Sequence, residues 1–412
     1  MSTAALPDPD GLSTRGRRLV DAPPMPEYLR EHFARQGDPA YVPLCVAENR
    51  LVWDLLEPRL NAVRDVPHAA LCYDAMIGGE GFRRALARFL GRAFLGREVP
   101  PEQLAVLAGA GSVLELLFYA IADPGDGVLV PTPSYAGFWL DLETRNELRI
   151  VPVHCRAADG FRLTPALLDA ALAGADRPVK ALLFTTPNNP LGTVYAREEL
   201  EEVLRWSERR GVHLVLDEVY ALSVFGARPF VSGAALRPAL GPTTHLVWAF
   251  SKDFGASGLR CGVLVSENAA VLSAVDALAY WACCSGDTQH LLTALVGDDA
   301  WVDAYVTAMR SRLGDAYRQV SAALDQEGIA HLPAEAGFFV LCDLRGHLAA
   351  PSWEAERALW RRLLERTGAN LTPGAACHAA EPGFFRLCFP GVPPRAAVDA
   401  VGRLGAELRR RD

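Results

Sequence analysis

His245–Ser266 reads HLVWAFSKDFGASGLRCGVLVS: two short apolar runs flank a polar turn that carries a lysine. Runs that are apolar on both faces suit strands covered on both sides. The same texture recurs upstream in LAVLAG (104–109), GVLVPTP (127–133), LRIVPV (148–153), KALLFTTP (180–187) and HLVLDEVY (213–220), each separated from the next by helical patterns. This alternation predicts an α/β fold with a mostly parallel sheet and helices on both faces. Past Trp301 the texture changes. A long amphipathic helix over 301–327, the run FFVLCDL (338–344), a helix near 352–367, the run FFRLCF (384–389) and a last helix near 394–409 predict a smaller α+β domain. The expected division is a Pro-rich arm over 1–45, a large domain over 46–300 and a small one over 301–412.

The turn's lysine stands out. Of 41 basic side chains only Lys180 and Lys252 are lysines, and the rest are arginine. A chain that uses arginine wherever charge suffices keeps lysine where its amine is needed. A buried amine can lose its proton and condense with a carbonyl, which a guanidinium cannot do. Lys252 is therefore the first candidate for covalent chemistry.

Composition bounds the rest. The 412 residues, 50% hydrophobic and 22% charged, describe a soluble globular chain of about two domains. A net charge of -8 argues against a general nucleic-acid binder, and the basic clusters at Arg15–Arg18 and Arg409–Arg411 read as solvated termini. Nine cysteines without a C-x-x-C pair or metal-ligand spacing predict free core thiols in a reducing cytosol. No apolar run follows the N-terminal arginines, so neither a Sec nor a twin-arginine signal is expected. Leu104–Ala122, the most membrane-like window, is broken by Glu115 and two glycines and reads as a buried strand followed by a helix.

Four motifs could carry chemistry. GAGS (109–112) follows a predicted strand and opens a helix, where backbone amides and the helix dipole favour a phosphate. Leu114 occupies the place of the third glycine of a dinucleotide fingerprint, which disfavours a nicotinamide enzyme. TPNNPLGT (186–193) holds Asn189 between prolines as an aimed hydrogen-bond donor. DEVY puts Asp217 at the carboxyl end of an apolar run, where open α/β sheets bind ligands and where an acid needs a positive partner; Tyr220 follows one turn later. Ser251, Lys252 and Arg260 complete the set. Taken singly, GAGS is also an ordinary turn and Asp217 a helix cap. Together they match pyridoxal 5'-phosphate, which needs a lysine, an acid for the pyridine nitrogen, donors to the phenolic oxygen, a phosphate cup and an arginine for the substrate carboxylate.

Over residues 43–405 the chain resembles the fold-type I pyridoxal-phosphate enzymes of the aminotransferase class I/II superfamily. Within it, CVAENRLVWDLLE, ADPGDGVLVPTPSYAGF, SKDFGASGLRCG, DTQHLLTAL and PGAACHAAEPGFFRLCF are most similar to the 1-aminocyclopropane-1-carboxylate synthases. The resemblance implies that Lys252 bonds to the cofactor and takes the substrate's Cα proton. It implies that Asp217 pairs with the pyridine nitrogen and that Tyr220 and Asn189 hold the phenolic oxygen. Tyr135 would stack on the ring, Gly111, Ser112, Ser251 and Arg260 would bind the phosphate, and Arg386 the substrate carboxylate. Ala47 and Glu48, in the AEN motif, would lie by the substrate. The implied substrate is S-adenosylmethionine, and the implied assembly is a homodimer with shared sites, with Thr288 and Gln289 near the junction.

Three departures from the family pattern bear on the reaction. The tyrosine of the family's Q-D-Y-H-G is replaced by Ala75 or Met76 within YDAMIGG (73–79), with Tyr73 nearby. The first serine of S-x-S-K is Ala249, and the threonine of the phosphate turn is Gly111. Ser134 stands where a first of two tyrosines is common. A lost aromatic over the cofactor enlarges the substrate side. The expectation is loss of methylthioadenosine from Cγ of S-adenosylmethionine, followed by closure of a cyclopropane or by capture of a second substrate in a γ-replacement or annulation. The alternative is a plain aminotransferase serving a 2-keto acid. A cofactor-sensing DNA-binding regulator would need a basic helix-turn-helix module for which the first 45 residues leave no room.

Overall fold

The computed structural model describes residues 10–410. Seven strands form one sheet: β1 (Leu104–Leu107), β2 (Gly127–Thr132), β3 (Arg149–His154), β4 (Val179–Thr185), β5 (His213–Asp217), β6 (Thr244–Ala249) and β7 (Gly262–Ser266), in the order β1-β7-β6-β5-β4-β2-β3. Neighbours from β6 to β3 run parallel, while β7 is antiparallel to both β6 and β1. Every apolar run read as a strand between residues 104 and 266 is one.

The period of two in each strand sends side chains to two separate cores. Val128, Val130, Leu183 and Val215 meet Val113, Leu117 and Phe118 of helix Ala110–Ile121 and Val275 of helix Ala269–Ala279. Leu129, Leu182, Leu214 and Leu216 point the other way, onto Leu200, Leu204 and Trp206 of helix Arg197–Arg210. Each such side chain contributes about 1.5–3 kcal/mol relative to exposure, which explains why central strands carry no polar alternation. Only β3, at the edge, is largely exposed.

A second, antiparallel sheet of β8 (Ala330–His331), β9 (Phe339–Asp343), β10 (Thr372–Pro373) and β11 (Phe384–Cys388) has the order β10-β11-β9-β8. Helices Asp299–Gln326, Trp353–Thr367 and Pro394–Leu408 accompany it. Of the N-terminal arm, helix Glu27–Ala34 docks through ion pairs of Glu27 with Arg357 at 2.8 Å and of Glu31 with Arg361 at 3.0 Å, while helix Thr14–Asp21 buries no side chain. Among the described residues of the arm, the second helix is therefore the docked one. The expectation of core thiols also needs correction: all nine cysteines are free, but Cys72 and Cys283 are exposed. Leu104–Ala122 divides into β1 and a helix, and no helix among the described residues is long and apolar enough to cross a membrane.

Strand register brings the carboxyl ends of β1, β4 and β5 level with the last residues of β6 and the first residue of the antiparallel β7. Thr185 pairs with Asp217, Asp217 with Val247, and Leu107 with Gly262. At this last junction Gly262 lies against the Gly109–Ala110 backbone, and a Cβ there would come within 2.6 Å of the Ala110 nitrogen. Backbone cannot yield as a side chain can. Gly262→Ala is expected to destabilise the protein by about 1–3 kcal/mol, read as a lower denaturant midpoint at unchanged m-value.

Candidate active site

At the carboxyl ends of the parallel strands lies a cavity of about 240 Å³ lined by Gly111, Tyr135, Asn189, Asp217, Tyr220, Ser251, Lys252 and Arg260. Lys252 stands on the one-turn helix Phe250–Asp253 that begins where β6 ends. Its Nζ donates to the carbonyl oxygen of Ala47 at 2.7 Å. Burial first, and the Arg386 guanidinium second, lower its amine to about 8, so a neutral amine is accessible near physiological pH. The turn is anchored from behind by the buried Asp253, which accepts from Trp248 Nε1 at 2.8 Å, the Leu222 amide at 3.1 Å and Ser223 Oγ at 2.7 Å. One carboxylate therefore ties the Lys252 turn to the segment that follows Tyr220.

Asp217, the last residue of β5, is buried. Its Oδ2 accepts from Thr185 Oγ1 at 3.3 Å, and its Oδ1 has no partner. Burial pushes this carboxyl up to about 6 against the opposing pull of the Val219 amide and Thr185. A buried oxygen without a donor is costly, and here it lines a cavity able to supply one. The Tyr220 hydroxyl is likewise buried and unpartnered, its ring held edge-on by Phe338 and Phe339. Arg386 Nη1 donates to the amide oxygen of Asn189 at 3.0 Å, which leaves the Asn189 NH2 group for the cavity. Tyr135 lies over Gly137, where a Cβ would strike its ring, and packs edge-on against Phe138.

The GAGS turn is shaped by a guanidinium. Gly109 has φ 95°, and a Cβ there would run into Arg260, whose Nη2 donates to the Ala108 carbonyl at 3.2 Å and Nη1 to that of Ser257 at 3.0 Å. The start of helix Ala110–Ile121 and this cation thus face one end of the cavity, a combination suited to an anion.

Other predicted residues sit outside the cavity lining. Ser112 Oγ donates to the Ala108 carbonyl at 3.3 Å. Arg386, 2% exposed, reaches Asn189, the Cys45 carbonyl at 2.7 Å and Thr372 Oγ1 at 3.1 Å, with Nε unpartnered. Ala47 contributes its carbonyl, whereas Glu48 pairs with Arg50 at 3.1 Å. Met76 packs with Ile77 on the sheet's core, and Tyr73 is 96% exposed. Gln289 accepts from the Gly79 amide at 2.9 Å, bracing that loop. Sequence reasoning missed Thr185, Asp141 and Ser257, which also line the cavity. Thr185 was findable as the strand-end neighbour of Asp217. Asp141, within helix Gly137–Glu143, has no local signal.

An amine, an unpartnered carboxylate oxygen, free amide and hydroxyl donors and an anion-suited turn match an aldehyde-bearing, phosphorylated pyridine. The profile of the aminotransferase class I and II family matches residues 65–404. The chain belongs to the aminotransferase class I and II family. It is 39% identical to 1-aminocyclopropane-1-carboxylate synthase 4 of Oryza sativa subsp. japonica over 84% of this chain and 77% of that one. With synthase 1 of Oryza sativa subsp. indica the identity is 36%, over 92% and 83% of the two chains. Among solved structures, an aspartate aminotransferase from Thermus thermophilus with maleate superposes with a TM-score of 0.80 at 24% identity over 96% of this chain and 99% of that one, and Pyrococcus protein-A1 with 0.84 at 21% over 95% and 98%. These two likenesses show the shared fold, fold type I. This aminotransferase-family enzyme belongs to the 1-aminocyclopropane-1-carboxylate synthase-like branch, and its cofactor is pyridoxal 5'-phosphate.

The raised carboxyl of Asp217 has a signed consequence. The folded, cofactor-free protein holds this proton more tightly than the unfolded chain. Stability is therefore lost as pH rises through the window from 3.8 to about 6 and stays lost above it. Cofactor-free Asp217→Asn is expected to be more stable than wild type above that window, by roughly 1–3 kcal/mol, and to match it below; calorimetry at both pH values checks this.

Proposed function

We propose that this enzyme acts on S-adenosylmethionine, removing the Cα proton and releasing methylthioadenosine from Cγ. The observation that carries the chemistry is the unpartnered Oδ1 of Asp217 on the same cavity as Lys252. The substrate is supported by the synthase relatives, named for an aminocyclopropane product. Bound pyridoxal phosphate supplies an electron sink for the pair left at Cα. In this reading Asp217 keeps the pyridine nitrogen protonated, and Tyr220 and Asn189 donate to the phenolic oxygen. Tyr135 covers the ring, and Gly111, Ser112, Ser251 and Arg260 hold the phosphate. Lys252 accepts the Cα proton. Arg386, already oriented by Asn189 and Thr372, takes the substrate carboxylate with its remaining N–H capacity. Glu48 and Ala47 lie by the sulfonium arm. The Cα–H and Cγ–S bonds break, and in the synthase route a Cα–Cγ bond closes the ring.

A specific observation favours a second fate for Cγ. Neither Ala75 nor Met76, one of which replaces the family's tyrosine, carries an aromatic hydroxyl; Met76 is packed onto the sheet core, and Tyr73 turns to solvent. This leaves room on the substrate side for a nucleophile that replaces methylthioadenosine at Cγ. The functional unit is a homodimer, supported by the exposure of Leu71, Tyr73, Tyr280 and Trp281 on the monomer. A cytosolic setting is supported by nine unpaired cysteines.

Purified enzyme loaded with pyridoxal phosphate should release methylthioadenosine from S-adenosylmethionine, with Lys252→Ala inert. Mass spectrometry separates the fates. Aminocyclopropane carboxylate from the simple mixture identifies ring closure, and a four-carbon amino acid adduct formed only with cell extract identifies γ-replacement. A 2-keto acid with pyridoxamine phosphate, and no methylthioadenosine, would instead establish an aminotransferase.

A further inference from the structure

Gly111 leaves the phosphate turn one hydroxyl short of the family pattern, and the structure shows what fills the freed space. A Cβ built on Gly111 would lie 3.1 Å from Oδ1 of Asp141 and 3.9 Å from its Oδ2. Asp141 lines the cofactor cavity with Arg260 and Ser257. Among the described residues its carboxyl group has neither a hydrogen-bond donor nor an ion-pair partner. A half-buried carboxyl in that state favours its neutral form.

The charged and titratable groups around it come from several elements. Asp217 faces it from β5, Glu115 from helix Ala110–Ile121, Tyr135 from the loop before its own helix, and Arg260 from the turn before β7; Arg145, just past the Asp141 helix, lines a pocket with Asp141 and pairs with Glu115 at 2.9 Å. Burial, then Asp217, then Glu115 push its carboxyl up to about 7, and Arg260 opposes them. Both protonation states are therefore accessible near neutrality.

An ionised carboxylate beside a phosphate repels it, whereas a carboxylic acid donates a hydrogen bond to it. We propose that Asp141, in its protonated form, donates its O–H to a phosphate oxygen of pyridoxal phosphate and stands in for the hydroxyl that Gly111 lacks. The inference rests on the reading that Gly111, Ser112 and Arg260 hold the phosphate. Raising the pH turns this donor into an anion, so the phosphate's contribution to cofactor binding weakens.

The test compares equilibrium binding of pyridoxal phosphate with that of pyridoxal, which lacks the phosphate, to wild type, Asp141→Asn and Asp141→Ala. The ratio of the two dissociation constants isolates the phosphate, because the Lys252 chemistry is common to both ligands. Between about pH 6 and about pH 8 the wild-type preference for the phosphorylated ligand should fall by about tenfold relative to Asp141→Asn, which keeps a neutral donor. Asp141→Ala should show a preference about tenfold below wild type at the acid end, and the phosphorus resonance of the bound cofactor should move with pH in wild type more than in Asp141→Asn. Identical pH profiles of the ratio in wild type and Asp141→Asn, or an Asp141→Ala preference equal to wild type, would overturn the proposal while leaving the phosphate placement intact. A preference near one in wild type at every pH would overturn the placement itself, and the proposal with it.

Discussion

Asp217 is a buried carboxylate with one oxygen held by Thr185 and the other held by nothing. Much of the site follows from accommodating it. It sits at the end of a strand because only there can an oxygen leave the hydrocarbon of the sheet and reach a ligand. Beside it Glu218 is buried too, its Oε1 accepting from the Gly233 amide at 2.8 Å and its carboxyl raised to about 8 by burial. Asp253 lies behind the lysine turn, likewise raised, to about 6. Three acids in one low-dielectric region weaken the cofactor-free fold. They make sense if a cationic ring nitrogen arrives to meet the foremost of them, which is the usual exchange of stability for function at an active site.

The second organising group is Arg386. From β11 of the smaller sheet it reaches Asn189 in the loop after β4, the Cys45 carbonyl near the arm and Thr372 on β10, and its guanidinium lies 5.8 Å over the ring of Phe339. These bonds orient both the arginine and the asparagine before any ligand binds. Groups positioned in advance need little reorganisation when charge develops. Lys252, bonded to the Ala47 carbonyl and backed by Asp253, is held in the same manner. The residues that line the cavity come from the larger sheet and its connections, and Arg386 of the smaller sheet and the Ala47 carbonyl hold two of them, Asn189 and Lys252, from behind.

Tyr73 and Met76 part ways within one short loop. The loop that carries them is braced by Gln289 and by the Ile77 carbonyl, which accepts from the Val106 amide at 2.8 Å. That bracing commits Met76 to the core and leaves Tyr73 outside. The cavity, by contrast, is lined by side chains at and just beyond the strand ends, and no residue of this loop is among them.

The sequence by itself determined the sheet, since strands buried on both faces must be apolar at every position and such runs are visible in a row of letters. It also singled out Lys252, Asp217, Asn189, Tyr220 and Arg260 as candidates, which the structure brings to one cavity, because strand ends bearing amines, acids and amides are local patterns. Tertiary structure alone decided three further matters. Asp141 came to the cavity because a short helix folds beside Gly111, a proximity that no spacing encodes. Arg386 was recognisable as a fork for a carboxylate, but its hold on Asn189 arises only when two sheets pack together. The contacts that Ser112 and Glu48 make without a ligand, to the Ala108 carbonyl and to Arg50, were likewise settled by three-dimensional neighbours.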